Sequence, residues 1–292
     1  MSELLGDVQR REVAVEGVRF LVHRAGPTRK RRTTPALLLH GVPQTSGVWR
    51  HLLPELRRDR MVIVPDLKGL GGSESAGPYD VATLVQELAA LVLHEVDGPV
   101  DVLGHDWGGS LALALAGSRP ELVRRLAVIS APYRSVDLLH AFHLPLLALP
   151  ALPEALFAAA GERILRQAFR YAWRSPEPLD EAAIAEYLAA YADPARVQAM
   201  LGYYRALVRP RVWRALGLGR DNAPVSPHVH ADRMLVVWGA ADPVLPLPVG
   251  EAVQRDLGPD ARLVTLPGVG HFPLEEAPEE ATRVLTDFVR GA

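Results

Sequence analysis

Gly104-His105-Asp106-Trp107-Gly108 stands between an apolar run, 100–103, and the small apolar residues of Ser110-Leu-Ala-Leu-Ala-Leu-Ala116. That is the order strand, tight turn, helix. Glycines on either side of Asp106 permit the close backbone approach of a sharp elbow, which would hold residue 106 at the end of its strand with the side chain exposed. A carboxylate with an ordinary pKa of about 4 is ionised at neutral pH and needs no base to attack. Attack on an acyl carbon would give a high-energy anhydride. Attack on a saturated carbon bearing a leaving group gives an ordinary ester, so Asp106 at an elbow points to substrates with an electrophilic sp³ carbon.

The elements that must position this residue can be traced along the chain. Valines 13, 15, 18 and 22 with Phe20 surround Glu16-Gly17 and predict an N-terminal hairpin. Short apolar runs then alternate with helical patterns, at 36–39, 61–64, 100–103, 126–129, 234–238 and 262–266, which predicts a mostly parallel sheet flanked by helices. Between the fourth and fifth of these runs lie about a hundred residues without a strand, too many for a structureless loop. Helical spacing over 152–173, 179–191 and 195–208, bounded by Pro176, Pro178, Pro194 and Pro210, predicts a helical insertion there. The expected organisation is a core domain, 1–135 and 218–292, and a helical cap, 136–217.

Composition narrows the function. The 292 residues are 49% apolar and 23% charged, with a formal charge of −2, a balance that excludes disorder and gives no global attraction to nucleic acid or anionic membrane. The basic cluster Arg29-Lys-Arg-Arg32 reads as a solvated loop. No cysteine is present, which excludes thiolate nucleophiles, thiolate metal sites and disulfides. The N-terminal residues lack the apolar run of a secretory signal, and the apolar stretch 138–160 is broken by Pro145, Pro150 and Pro153. A cytoplasmic protein without membrane insertion, acting on a small neutral ligand, is expected; a homodimer is admitted rather than required. The glycines at 69–72 lack the companions of a phosphate loop and read as a turn.

Further residues carry a resemblance. His40-Gly41-Val42-Pro43 follows the run 36–39, Asp242 follows 234–238 in Trp238-Gly-Ala-Ala-Asp242-Pro, and His271 follows 262–266 in Gly268-Val-Gly-His271-Phe-Pro. With the Asp106 elbow and Asp66-Leu-Lys-Gly69, this order resembles the α/β-hydrolase family over nearly all of the chain outside the cap. The resemblance implies that Asp106 is a nucleophile and that Asp242 orients His271 to activate water. It also implies an oxyanion hole from the backbone N–H groups of Val42 and Trp107. No cofactor or metal is implied.

Within the cap, Met200-Leu-Gly-Tyr203-Tyr204-Arg205 resembles the motif of epoxide hydrolases that carries a ring-opening tyrosine, which implies Tyr204 as proton donor. The position of a second tyrosine in those enzymes falls on His143. This is a departure, although an imidazole N–H can donate to an epoxide oxygen. The expected reaction is therefore epoxide and water to a vicinal diol. Haloalkane or haloacid dehalogenation is the alternative, with Trp107 and either Trp173 or Trp213 as halide donors. Fluoroacetate-type dehalogenases carry arginines where this chain has Trp107 and Ser110, and haloalkane dehalogenases commonly carry asparagine where it has Val42. A catalytically silent relative that binds a small ligand is the expectation from another class.

Overall fold

A computed structural model describes residues 4–27, 33–133, 143–215 and 228–291, with the side chains of 143 and 210–215 outside the description. The basic cluster at 29–32 falls outside it. The hairpin forms as β1, Gln9–Val15, and β2, Val18–Ala25. Glu16 and Gly17 both adopt positive φ (49° and 75°) between them, the two-residue turn whose twist suits a hairpin. The strands β3 (Ala36–Leu39), β4 (Val62–Pro65), β5 (Val100–His105), β6 (Val123–Ile129), β7 (Arg233–Gly239) and β8 (Ala261–Leu266) complete one eight-stranded sheet. Its order is β1-β2-β4-β3-β5-β6-β7-β8. Only the β1/β2 and β2/β4 pairs are antiparallel.

Because both faces of the parallel region are covered, its strands are apolar throughout rather than alternating. All four residues of β3 are fully buried, as are those of β4. The helices of the core are α1 (Leu53–Leu56), α2 (Val81–Glu95) and α3 (Trp107–Ser118) before the insertion. α4 (His143–Leu147), α5 (Leu152–Ala172), α6 (Glu181–Ala190) and α7 (Pro194–Ala215) follow β6 and precede β7. The core then closes with α8 (Leu247–Leu257), α9 (Pro273–Glu276) and α10 (Pro278–Arg290). α10 shows how the covering layer is built: Ala281, Val284, Leu285, Phe288 and Val289 lie on one face and are buried, at the spacing of a single helical stripe.

The sheet strands run longer than the apolar sequence runs. β5 continues through Gly104 and His105, and β6 begins at Val123, because ladder hydrogen bonds to neighbouring strands extend pairing into residues with no apolar signal of their own. Pro210 does not end α7, which continues to Ala215. A proline costs one helical hydrogen bond, and the good helix formers before it carry the helix through. α5 is kinked at Ala160, whose φ/ψ of −152°/28° is not helical.

Candidate active site

Asp106, Asp242 and His271 follow the carboxyl ends of the parallel strands β5, β7 and β8, the edge where open α/β sheets place their ligands. Residues separated by 165 positions in sequence meet there because the sheet brings β3, β5, β6, β7 and β8 side by side.

The elbow is strained. Asp106 has φ 50° and ψ −119°, a conformation that costs a non-glycine residue about 1–3 kcal/mol and persists only where its surroundings impose it. Here its N–H donates to the Ile129 carbonyl at 3.0 Å and its carbonyl accepts from Ser110 N–H at 3.0 Å, tying the turn to β6 and to α3. The flanking glycines are required by close approach: a Cβ at Gly104 would sit 2.3 Å from the Gly108 carbonyl oxygen, and one at Gly108 would sit 2.2 Å from that of Leu39.

The two Asp106 oxygens face different partners. Oδ1 accepts the Val42 backbone N–H at 2.8 Å, and Oδ2 lies 3.5 Å from His271 Nε2. The other ring nitrogen, Nδ1, is 2.8 Å from Asp242 Oδ2. Asp242 is itself oriented, since its Oδ1 accepts the N–H groups of Val244 and Leu245 at 2.8 and 2.9 Å. Burial alone would discharge His271, but the Asp242 and Asp106 carboxylates outweigh it and raise the imidazolium to about 10. Burial likewise opposes charge on Asp106, yet the hydrogen bond and charge of His271 hold its carboxyl below the usual range. The resting arrangement is a cation between two carboxylates.

Three predicted residues sit on this cluster. Trp107 opens α3, where backbone N–H groups have no helical partner. Its indole packs edge-on against Tyr204, with centroids 5.6 Å apart, and against Tyr203, 5.2 Å apart. Burial and then the Asp106 charge push the Tyr204 phenol far above its ordinary pKa, with a hydrogen bond to the Trp107 side chain acting in the opposite sense. Tyr204 is thereby kept as an O–H donor. Val42 N–H is in place, as above. His143 is the first residue of α4; its side chain lies outside the described residues.

Other residues, present in the sequence motifs but assigned no role from them, shape the geometry. His105 Nε2–H donates to the His271 carbonyl at 2.9 Å; burial and the neighbouring His271 charge lower its pKa to about 4, so it is neutral. His40 accepts the Leu67 N–H through Nε2 and donates Nδ1–H to the Gly41 carbonyl, both at 2.9 Å, which sets the loop presenting Val42. The glycine turn at 69–72 wraps the Asp66 carboxylate, which accepts Ser46 N–H at 3.0 Å and Gly72 N–H at 2.7 Å. Among the described residues, no group of three histidine or acidic side chains could hold a metal ion, and no helix is long and apolar enough to cross a membrane.

The sequence model of the alpha/beta hydrolase family matches residues 36–284. The chain belongs to that family. This hydrolase is 29% identical over 263 residues to the soluble epoxide hydrolase of Corynebacterium sp. (strain C12), covering 84% of this chain and 86% of that protein. It is 26% identical over 269 residues to epoxide hydrolase 3 of Mus musculus, covering 87% and 70% respectively. Its fold superposes on the crystal structure of epoxide hydrolase A from Mycobacterium thermoresistibile with a TM-score of 0.78, at 26% identity, over 98% of this hydrolase and 99% of that chain.

Proposed function

We propose that this hydrolase opens an epoxide to a vicinal diol through a covalent ester on Asp106. The observation that carries the reading is the carboxylate at the elbow, with one oxygen on Val42 N–H and the other facing the His271–Asp242 pair. The similarity to proteins named epoxide hydrolase supports it. The substrate is a small apolar epoxide held beneath a cap formed by residues 136–217.

In the first step Asp106 Oδ2 forms a bond to an epoxide carbon. The ring C–O bond breaks with its electron pair going to oxygen, which takes the Tyr204 proton, with His143 as second donor. Ester formation removes one of the two carboxylate charges that hold the His271 proton, so the imidazolium becomes acidic enough to return a proton to the Tyr204 phenolate. Neutral His271, fixed in orientation by Asp242, then takes a proton from water as the oxygen adds to the ester carbon. The charge that develops on Oδ1 meets the N–H groups of Val42 and Trp107. Collapse expels the diol oxygen, which takes the acid proton, and restores Asp106 as a carboxylate beside imidazolium.

Dehalogenation is less well supported. The Trp173 indole N–H donates to the carbonyls of Ser175 and Glu177, at 3.2 and 2.9 Å, and the Trp107 side chain is engaged by Tyr204. Both of these indoles already have hydrogen-bond partners, and the side chain of Trp213 lies outside the described residues.

The test is His271→Gln incubated with styrene oxide, a chloroalkane and a p-nitrophenyl ester, followed by intact-mass measurement and peptide mapping. The epoxide should leave an adduct of its full mass on Asp106. An alkyl adduct with halide release would favour dehalogenation, and a folded protein with no adduct from any probe would exclude the covalent mechanism.

A further inference from the structure

Directly after His271, α9 ends in two adjacent buried carboxylates, Glu275 and Glu276, that the reaction above does not use. Glu276 accepts four backbone hydrogen bonds. Two come from the residues flanking the histidine: Gly270 N–H to Oε2 at 2.9 Å and Phe272 N–H to Oε1 at 3.0 Å. Two come from the segment just past the end of α5 in the helical insertion: Arg174 N–H at 2.7 Å and Ser175 N–H at 2.9 Å, both to Oε2. One side chain thus holds the histidine loop and the exit of the insertion together.

The surrounding contacts repeat the same connection. His271 N–H donates to the Ala172 carbonyl at 3.0 Å. A Cβ at Gly270 would lie 2.2 Å from that carbonyl oxygen, so the two segments approach as closely as a glycine allows. Phe272 packs on Phe169 of α5 with centroids 5.0 Å apart. Glu275 makes a second grip, taking both Arg50 guanidinium nitrogens at 2.8 and 2.6 Å and the Tyr187 hydroxyl of α6 at 2.6 Å.

We propose that Glu276 is a positioning residue that couples seating of the helical insertion to placement of His271. The proposal rests on the reading of His271 as the base for ester hydrolysis. Because Asp106 attacks without a base, and because α7, which carries Tyr204, is tied to the core separately by the Tyr203 hydroxyl on the Lys68 carbonyl at 2.8 Å, the coupling acts on the second step and spares the first. Glu276→Gln keeps the size of the side chain but loses the charge. With its amide oxygen left on the three donors at Oε2, its NH₂ faces the Phe272 N–H.

The experiment is single-turnover quenched flow with styrene oxide, reading ester formation and ester decay by intact mass across pH. Glu276→Gln should form ester within about twofold of the unaltered rate and hydrolyse it about 10- to 100-fold more slowly, the effect of a misplaced reacting group. Its hydrolysis pH profile should be displaced. Gly270→Ala, which keeps the Glu276 side chain but presses its Cβ on the Ala172 carbonyl oxygen at 2.2 Å and on Glu276 Oε1 at 2.9 Å, should show the same division between steps. In the unaltered protein, hydrogen exchange at the amides of Arg174, Ser175, Gly270 and Phe272 should proceed through one common opening rate. Unrelated exchange rates, normal ester decay in folded variants, or equal loss of both steps would overturn the proposal. If neither variant folds, the exchange measurement decides it. Failure of His271→Gln to accumulate ester would refute the reaction instead, leaving the exchange result to stand on its own.

Discussion

Replacing Asp242 by asparagine changes one atom and tests how the histidine works. Asp242 Oδ1 accepts two backbone N–H groups, from Val244 and Leu245, so an asparagine must keep its carbonyl oxygen there. Its NH₂ then occupies the Oδ2 position, 2.8 Å from His271 Nδ1. A donor facing Nδ1 forces that nitrogen to accept, which moves the ring proton to Nε2 and removes the lone pair that would take a proton from water. The charge is lost as well. Raising His271 from 6.5 to about 10 corresponds to a preference on the order of 5 kcal/mol for the charged ring, and Asp242 is the foremost contributor opposing burial. Ester hydrolysis in Asp242→Asn should fall roughly 10³- to 10⁴-fold, as wrong-tautomer variants of catalytic triads do. Ester formation, which uses no base, should change by less than about threefold. Quenched-flow intact mass with styrene oxide separates the steps, and ¹⁵N imidazole shifts report the tautomer. Hydrolysis within threefold of the unaltered enzyme would refute the assignment of Asp242 as the orienting acid.

Tyr204→Phe should slow ester formation from an epoxide about 10²-fold or more, the usual contribution of a positioned proton donor, while leaving decay of a preformed ester unchanged; equal ester-formation rates would remove Tyr204 from ring opening. Gly41→Ala should abolish turnover in a chain that still folds, because its Cβ would lie 2.4 Å from Asp106 Cβ and 2.5 Å from Oδ1. Activity with thermal melts of both forms checks this, and retained turnover would show that the loop can withdraw. Conformational stability should fall as pH drops below 6.5. Folding lowers the His105 pKa to about 4, so between those values the unfolded chain binds the extra proton, and stability that is full above pH 6.5 is lost on acidification, by up to roughly 3 kcal/mol from this residue. Buried His23 and His40, also lowered, act in the same direction. Denaturant midpoints between pH 7 and 4 should show a shallower slope in His105→Gln, and an unchanged slope would contradict the assignment.

Much of the site was legible because α/β-hydrolase chemistry sits on strand ends, and buried parallel strands announce themselves as apolar runs. Asp106, Asp242 and His271 each follow such a run, so their common edge could be expected before any coordinates. Element ends were less legible. β5 takes in Gly104 and His105, and α7 passes Pro210, since pairing with neighbours and tertiary packing override local preference at the margins. The roles of His105 and Glu276 were not legible locally: their partners are backbone groups of His271 and of Arg174 and Ser175, and a backbone group has no identity in sequence.

What the sequence by itself determined is the kind of chemistry. An aspartate between two elbow glycines, followed by an acid and a histidine in the order of the strands, is the arrangement that the proposed covalent reaction requires. What only the tertiary structure decided is how the charges are shared. Asp106 divides its oxygens between Val42 N–H and His271, and the Trp107 and Trp173 side chains are engaged by Tyr204 and by backbone carbonyls. These depend on distances between segments far apart in the chain. Electrostatic and hydrogen-bond energies change over fractions of an ångström to a few ångströms, a scale that composition and spacing do not resolve.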